Sequence, residues 1–452
     1  MIQKTKKTTV AFMVISALAL VFLASGFGVW RYTEKIQAEK QAMEEQLPLP
    51  VRIMWFEQYS ADVVAEISKK FTEETGIPVI VDQVSLAKWQ DITYQELQSG
   101  YPRFDLAVGD SQWIGYGAEH GYYEDLTDFV QEHKILGTFS ESVARGYGEY
   151  PEGSGRFYAV PFGTNTIVYA YRNDWFEDPV EQAAFREQYG RALAAPRTYA
   201  ELRDIAKFFY RPDENRYGIV YPASEFYDVV TMLYGSMLFG YGGSWGDRAT
   251  CKADGHINGE DAVTALELYR ELATYAPPEI GTYAYAHAWT RFFEGDTAIA
   301  MNFISHTAVN PYAADTGYVA GLFGPKSRDV QLAGQGVSLV KGARNREGAL
   351  KFLDWWVQYE TQDAFAEGGG LSSFRRVTSS RKFQERTPYN EAYAVSIEHV
   401  KDYWNSPRYA ELLLISQKYF HEYVTGKTEM TAKETLDTIL NEWKPILAGE
   451  CE

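Results

Sequence analysis

Cysteine is almost missing from this chain. Only Cys251 and Cys451 occur in 452 residues, too few and too far apart for a zinc cage or a Cys-x-x-Cys redox pair. One long-range disulfide is the remaining option; closing so large a loop is worth roughly 5 kcal/mol in the chain-entropy model, provided the two residues meet in an oxidising compartment. Histidine is scarce as well. His120, His133, His256, His287, His306, His399 and His421 contain no pair at i, i+4, and His421-Glu422 lacks the second histidine of a zinc protease motif, so no metal site is expected. After the first seven residues there is no Lys/Arg cluster, and the balance of 43 basic to 61 acidic residues gives a formal charge of −18, which excludes nucleic acid as a partner. The acidity is spread along the chain, as on a solvated surface. No repeat of 20 to 50 residues and no low-complexity tract occurs, which removes solenoids and disordered scaffolds. Gly115, Gly117 and Gly121 have the wrong spacing for a phosphate-binding loop, so no nucleotide cofactor is expected.

Long apolar runs are lacking too, with one exception. Val10 to Trp30 follows Lys4, Lys6 and Lys7, the pattern of an export signal. Cleavage after the small residues Ala24-Ser25-Gly26 starts the mature chain near Phe27. Left uncut, the run spans about 30 Å, enough to anchor the protein in a bilayer with its N-terminus in the cytoplasm. Both readings, signal peptide or membrane anchor over 1–30, put the rest of the chain outside the cytoplasm. Arg31 to Gln46 is rich in helix formers and stops at Pro48, which predicts a spacer helix within 31–49.

The remainder is large enough for two lobes. Short apolar strands alternate with amphipathic helices, the signature of an α/β layer architecture. Strands are predicted over Val51 to Phe56, Pro78 to Val84 and Phe104 to Val108. Helices are predicted over Ala61 to Thr75, Lys88 to Ser99 and Trp113 to His120. Parallel pairing is the default for such a unit. Further on, Pro196 to Tyr210, Phe226 to Leu238 and Gly259 to Ala276 read as helices of a second, more helical lobe. A strand returns over Gln331 to Val340, then a helix over Asn345 to Tyr359, and the tail from Glu391 is helical again.

Gly242-Gly243-Ser244-Trp245-Gly246 matches the Gly-x-Ser-x-Gly pattern of a hydrolase nucleophile elbow. The elbow needs a strand before the serine and a helix after it, whereas a helical stretch precedes Ser244, which favours a glycine loop at the rim of a lobe. No catalytic constellation remains. Aromatic residues are abundant by contrast, 11 Trp, 33 Tyr and 25 Phe. Most fill the core, but several stand in loops beside Gly, Asn, Ser or Asp: Trp55 to Tyr59, Gly109 to Trp113, Gly163 to Asn165, Glu225 to Tyr227, Gly242 to Trp245, Asn302 to Ser305 and Leu371 to Arg375. That placement suits a sugar, whose C–H face packs on a ring and whose hydroxyls need carboxylates, amides or guanidinium groups.

The order of segments resembles the bacterial extracellular solute-binding proteins that feed ABC importers, in their carbohydrate-type branch. The likeness runs from about Val51 to Leu447. It rests on VRIMWFEQYSADVVAEISKKFTEETGIPV, FDLAVGDSQWIGYGAEHGYYEDLTDFV, YAVPFGTNTIVYAYRNDWF, GYGGSW followed by INGEDAVTALELYREL, RFFEGDTAIAMNF, GQGVSLVKGARNREGALKFLDWWV and GGGLSSFRR. The resemblance implies a two-lobe α/β fold, each lobe a mixed, mainly parallel sheet flanked by helices. One lobe is expected from 50–162 plus 326–370 and the other from 163–325 plus 371–452, with hinges near Gly163 and Gly324-Pro325. By position in the matching motifs, Glu57, Asp110, Ser111, Trp113, Asn165, Glu225, Tyr227 and Ser305 fall where the family contacts its ligand. Trp55, Trp245, Phe303 and Arg375 are added on chemical grounds.

The function this implies is capture of a sugar, oligosaccharide or polyol and its delivery to an ABC permease, by a monomer in the periplasm or on the outer face of the cytoplasmic membrane. Alternatives on the same fold are a ligand sensor, or a binder of polyamine or of ferric iron through Tyr122-Tyr123. An exported hydrolase using Ser244 or a carboxylate pair is the rival from another class.

Overall fold

A computed structural model of the chain describes residues 48–247, 250, 252–307 and 315–448. The apolar run, the spacer helix and both cysteines lie outside the described residues. Val51–Phe56 forms β1, alternately lined with apolar side chains that go to the core. Tyr59–Thr75 follows as α1, burying Ala61, Val63, Val64 and Phe71 on one face and ending at Gly76, whose left-handed φ of 75° lets its N–H reach back to Thr72 O. Val79–Val84 (β2), Leu86–Gln98 (α2) and Leu106–Asp110 (β3) complete the first unit. β1 lies between β2 and β3 and pairs in parallel with both, as the alternation of strand and helix requires.

Antiparallel pairing enters through two long strands. Val160–Arg172 (β4) was not legible as a strand, because Pro161 lacks a donor and Gly163 weakens β propensity. The structure absorbs both with a register shift between Pro161 and Gly163. Val330–Leu339 (β8) pairs antiparallel with β3 through residues 335–339 and with β4 through residues 332–337. The far half of β4 leaves that partner and pairs with Thr297–Phe303 (β6) and Thr316–Val319 (β7), while Tyr217–Val220 (β5) adds in parallel to β6. The strand order is therefore β2-β1-β3-β8-β4-β6-β5, with a short β9 (Val400–Lys401) beside β8. β4 and β8 are the strands shared by the two halves.

Gly334 shows how closely those strands approach. Its φ is +94° and an added Cβ would lie 2.2 Å from Gly163 O, so no other residue fits without strain. Glu141–Gly148 (α3) packs against the same ladder. In the second half, Tyr199–Phe209 (α4) starts with a capping box in which Thr198 and Glu201 satisfy each other's backbone. Val229–Tyr241 (α5) is buried nearly all round, and Glu260–Ala273 (α6) packs on it. The helix predicted over Asn345 to Tyr359 is broken at Val357 and Gln358 into Arg346–Trp356 (α7) and Tyr359–Glu367 (α8). Tyr409–Val424 (α9) and Ala432–Leu447 (α10) close the tail. Among the described residues no helix is long and apolar enough to cross a membrane.

Candidate functional site

A cleft of about 330 Å³ opens between the two halves. Its floor is the β4–β8 ladder, where Gly163, Thr164 and Asn165 face Gln335, Gly334 and Ala333. One wall comes from the carboxyl ends of β1 and β3, namely Phe56 to Ser60 and Asp110, together with Gly369 and Leu371. The other comes from Tyr227, Asp228, Tyr285, Phe303 to Ser305, and Tyr389. Loops beyond the carboxyl ends of parallel strands are where α/β sheets hold ligands, and β1 and β3 obey that rule here.

Asp110 is the most heavily bonded acid of the cleft. Its Oδ1 accepts from Gln335 Nε2 at 2.9 Å, and its Oδ2 accepts from the Tyr227 hydroxyl of the opposite wall. Burial pushes its carboxyl up to about 6, against the opposing pull of those two hydrogen bonds. Asp228 stands next along the wall, accepting from the Tyr285 hydroxyl at 2.6 Å. Burial, and after it the charge of Asp110, pushes it up to about 7. Two carboxyl groups facing the same cleft thus disfavour each other's ionisation. With Glu57 they give the cleft three acids and, among its described lining residues, no Lys, Arg or His.

The loop that carries Tyr227 is clamped from behind. Gln417 Nε2 donates to Tyr227 O at 2.7 Å while Gln417 Oε1 accepts from Thr231 N at 2.8 Å. One turn further along α9, His421 Nδ1 donates to Ala223 O at 2.9 Å. Residues four apart share a helix face, so one face of α9 fixes both ends of the loop. This holds Tyr227 at φ +50°, a left-handed backbone costly for a tyrosine. At the floor, Asn165 Nδ2 donates to Ser305 Oγ at 2.8 Å, and Asn165 Oδ1 accepts from Ser305 N at 3.2 Å and Thr166 N at 3.0 Å. The end of β6 is thereby tied to β4 at the crossing point.

Of the twelve candidate contacts, the cleft gathers Glu57, Asp110, Asn165, Tyr227, Phe303 and Ser305. The other six lie elsewhere. Trp55 is fully buried against Phe162 at 5.0 Å, directly beneath Gly163. Trp113 is fully buried between Trp89 at 4.2 Å and Tyr94 at 5.4 Å, because the turn Ser111–Trp113 after β3 points it back into the core. Ser111 is buried with it. Trp245 packs on Tyr403 at 4.6 Å, and Glu225 is exposed, 3.9 Å from His421 Nε2. Arg375 pairs with Glu398 at 3.1 Å. Tyr123 is buried and Tyr122 stacks on His120, both away from the cleft. Asp228, Tyr285, Gln335 and Tyr389 were not anticipated. For Asp228 the adjacency to Tyr227 was a usable signal; the others stand inside or beside regular elements, where nothing local sets them apart.

The Gly-x-Ser-x-Gly segment follows α5, with a helix before the serine in place of a strand. Gly242 sits at φ +91° as the helix's terminal residue, and Ser244 Oγ is 2.8 Å from His256 Nδ1. Among the described residues no group of three or more His, Cys, Asp or Glu side chains is placed to hold a metal ion.

Comparison with known proteins gives a consistent picture. The family model described as bacterial extracellular solute-binding protein matches residues 66–388. A maltotriose-binding protein of Pyrococcus abyssi is 26% identical over 136 residues, 30% of this chain and 25% of that protein. An erythritol/L-threitol-binding protein of Mycolicibacterium smegmatis is 23% identical over 320 residues, 67% of this chain and 65% of that one. The matches thus span a quarter and just under two thirds of these relatives. The maltose-bound MalE3 structure of T. maritima superposes with a TM-score of 0.72 at 21% identity, covering 88% of this chain and all of that one, which establishes a shared two-lobe fold.

Proposed function

This chain belongs to the bacterial extracellular solute-binding proteins, and from that membership we propose that it captures a sugar, oligosaccharide or polyol and delivers it to an ABC permease. The observation that carries the reading is the cleft between the lobes. It combines a carboxylate, amide and hydroxyl rim (Asp110, Asp228, Asn165, Gln335, Ser305) with the rings of Phe56, Tyr227, Tyr285 and Phe303. Such a set offers acceptors and donors to hydroxyls and flat apolar faces to C–H groups. With three acids and, among its described lining residues, no cation, it disfavours anionic solutes.

The lobes take the bounds 50–162 plus 326–370 and 163–325 plus 371–452. β4 and β8 serve as the hinge, and closure draws its energy from contacts made to the solute by both walls at once. No bond is made or broken. The protein works as a monomer in the periplasm or on the outer face of the cytoplasmic membrane, tethered through its apolar run where that run is retained.

A thermal-shift screen tests the reading. A specific ligand at a hundredfold excess over its dissociation constant stabilises the folded state by about 2.7 kcal/mol. A rise of several degrees with one class of neutral saccharide or polyol is expected. Silence across that class with a response to a polyamine or to ferric citrate overturns the carbohydrate assignment. The bond between Ser244 and His256 favours one rival, an exported hydrolase; ester or glycoside turnover that disappears in Ser244→Ala would establish it.

A further inference from the structure

A second cavity, of about 380 Å³, lies behind the hinge. Leu332 lines it, whereas Ala333 and Gln335 line the front cleft. Successive side chains of a strand point to opposite faces, so the two cavities occupy opposite sides of the β4–β8 ladder. One rear wall comes from Ser142 to Glu152, including α3, whose Gly146 abuts Leu332. The other comes from Phe239 to Gly246 and from Val400 to Asn405. The cavity therefore touches both lobes.

Two buried polar atoms of its uncharged lining residues have no hydrogen-bond partner in the chain: the donor Trp245 Nε1 and the acceptor Asn405 Oδ1. Each such atom is costly when left unpaired. A hydroxyl both donates and accepts, so a polyhydroxylated molecule carries the chemical complement of both. The cations that line it have carboxylate partners. Arg145 pairs with Glu141 and Glu149, Lys401 with Asp329 at 2.8 Å, and Asp402 accepts from Gln331 Nε2 at 2.9 Å. An anionic guest therefore finds no unpaired cation among the described lining residues, while Trp245, Tyr403 and Trp404 supply aromatic surface for C–H groups.

We propose that the rear cavity is a second binding site for a neutral sugar or polyol, and that its occupancy strengthens capture in the front cleft. The second half of this inference rests on the front cleft being the capture site. The sign of the coupling follows from the geometry. The front walls are joined through Tyr227 and Asp110 in the same structure in which the rear cavity measures about 380 Å³. Rotation about β4 and β8 that parts the front walls brings the rear walls together, so a rear guest resists opening and favours the joined state.

Calorimetry on the intact protein with erythritol and with maltotriose as probes tests this. The wild type is expected to take two equivalents of a probe. The front variant Asp110→Asn with Tyr227→Phe retains the rear equivalent, and Trp245→Phe or Asn405→Ala takes the front one alone, with about 5- to 20-fold weaker affinity. One equivalent in the wild type, abolished by the front variant and unmoved by both rear variants, overturns the proposal. A wild type that takes only one equivalent, which the front variant keeps and the rear variants lose, sinks the front-cleft reading and leaves the rear site standing. Should the rear variants fail to fold, crystals of the wild type soaked to saturation decide: density for either probe behind Leu332 supports the site, and an empty rear cavity with both probes refutes it.

Discussion

The hydroxyl of Tyr227 donates to Asp110 Oδ2 across the cleft, joining the residue two positions ahead of α5 to the last residue of β3. The partners come from opposite walls and lie 117 positions apart in the chain. Tyr227 is held in a left-handed backbone by Gln417, so its hydroxyl is aimed by structure well outside its own loop.

Tyr227→Phe should therefore release the two walls. A hydrogen bond to a carboxylate is worth about 1.5 to 3 kcal/mol. The ligand-free variant is expected to show a larger radius of gyration by small-angle scattering and a lower melting temperature. An unchanged radius would mean that this bond does not hold the walls together.

Stability should depend on pH through Asp110 and Asp228. Both carboxyls are raised in the folded protein, to about 6 and about 7 from 3.8. Between these values the folded state binds more protons than the unfolded chain, so their contribution to stability falls as pH rises through that window. Asp228→Asn removes the larger rise and can keep the hydrogen bond from Tyr285. It should flatten the curve and stabilise the protein at pH 8, where the wild-type carboxyl is forced to ionise in a buried site beside Asp110. Equal pH profiles for variant and wild type in denaturant titrations would contradict this.

Asn165→Ala should weaken ligand binding roughly tenfold. It removes the amide that ties Ser305 to β4, together with a polar group of the cleft floor, and one such interaction is worth about 1 to 1.5 kcal/mol. Isothermal calorimetry measures the change. Unaltered affinity would remove Asn165 from the site.

Trp113→Ala should cost stability, about 3 to 5 kcal/mol for a large buried aromatic. Its ring is locked between Trp89 and Tyr94, so affinity measured well below the melting transition should stay within a factor of two or so of wild type. A large affinity loss in a variant that remains folded would bring the indole back as a ligand contact.

The first strands and helices were legible because each carries its own signal. Val51–Phe56 matches its apolar run residue for residue, and α1 ends at the glycine its pattern demands. β4 was not, because Pro161 and Gly163 oppose strand formation locally and only pairing with β8 on one side and β6 on the other overrides them. Half of the anticipated contacts reach the cleft for a similar reason. Glu57 and Asp110 stand just after or at the end of parallel strands, a position the sequence reveals. An indole beside a glycine looks the same whether it faces a ligand or, like Trp55 and Trp113, the core.

The sequence by itself determined the class of the protein: the alternation of strand and helix, the two-lobe size and the order of family segments, all written in local composition and spacing. Only the tertiary structure decided which residues share the cleft. Asp110, Tyr227 and Gln335 meet through a strand crossing and a loop clamped by α9, and contacts between residues more than a hundred positions apart leave no periodicity in the chain to read.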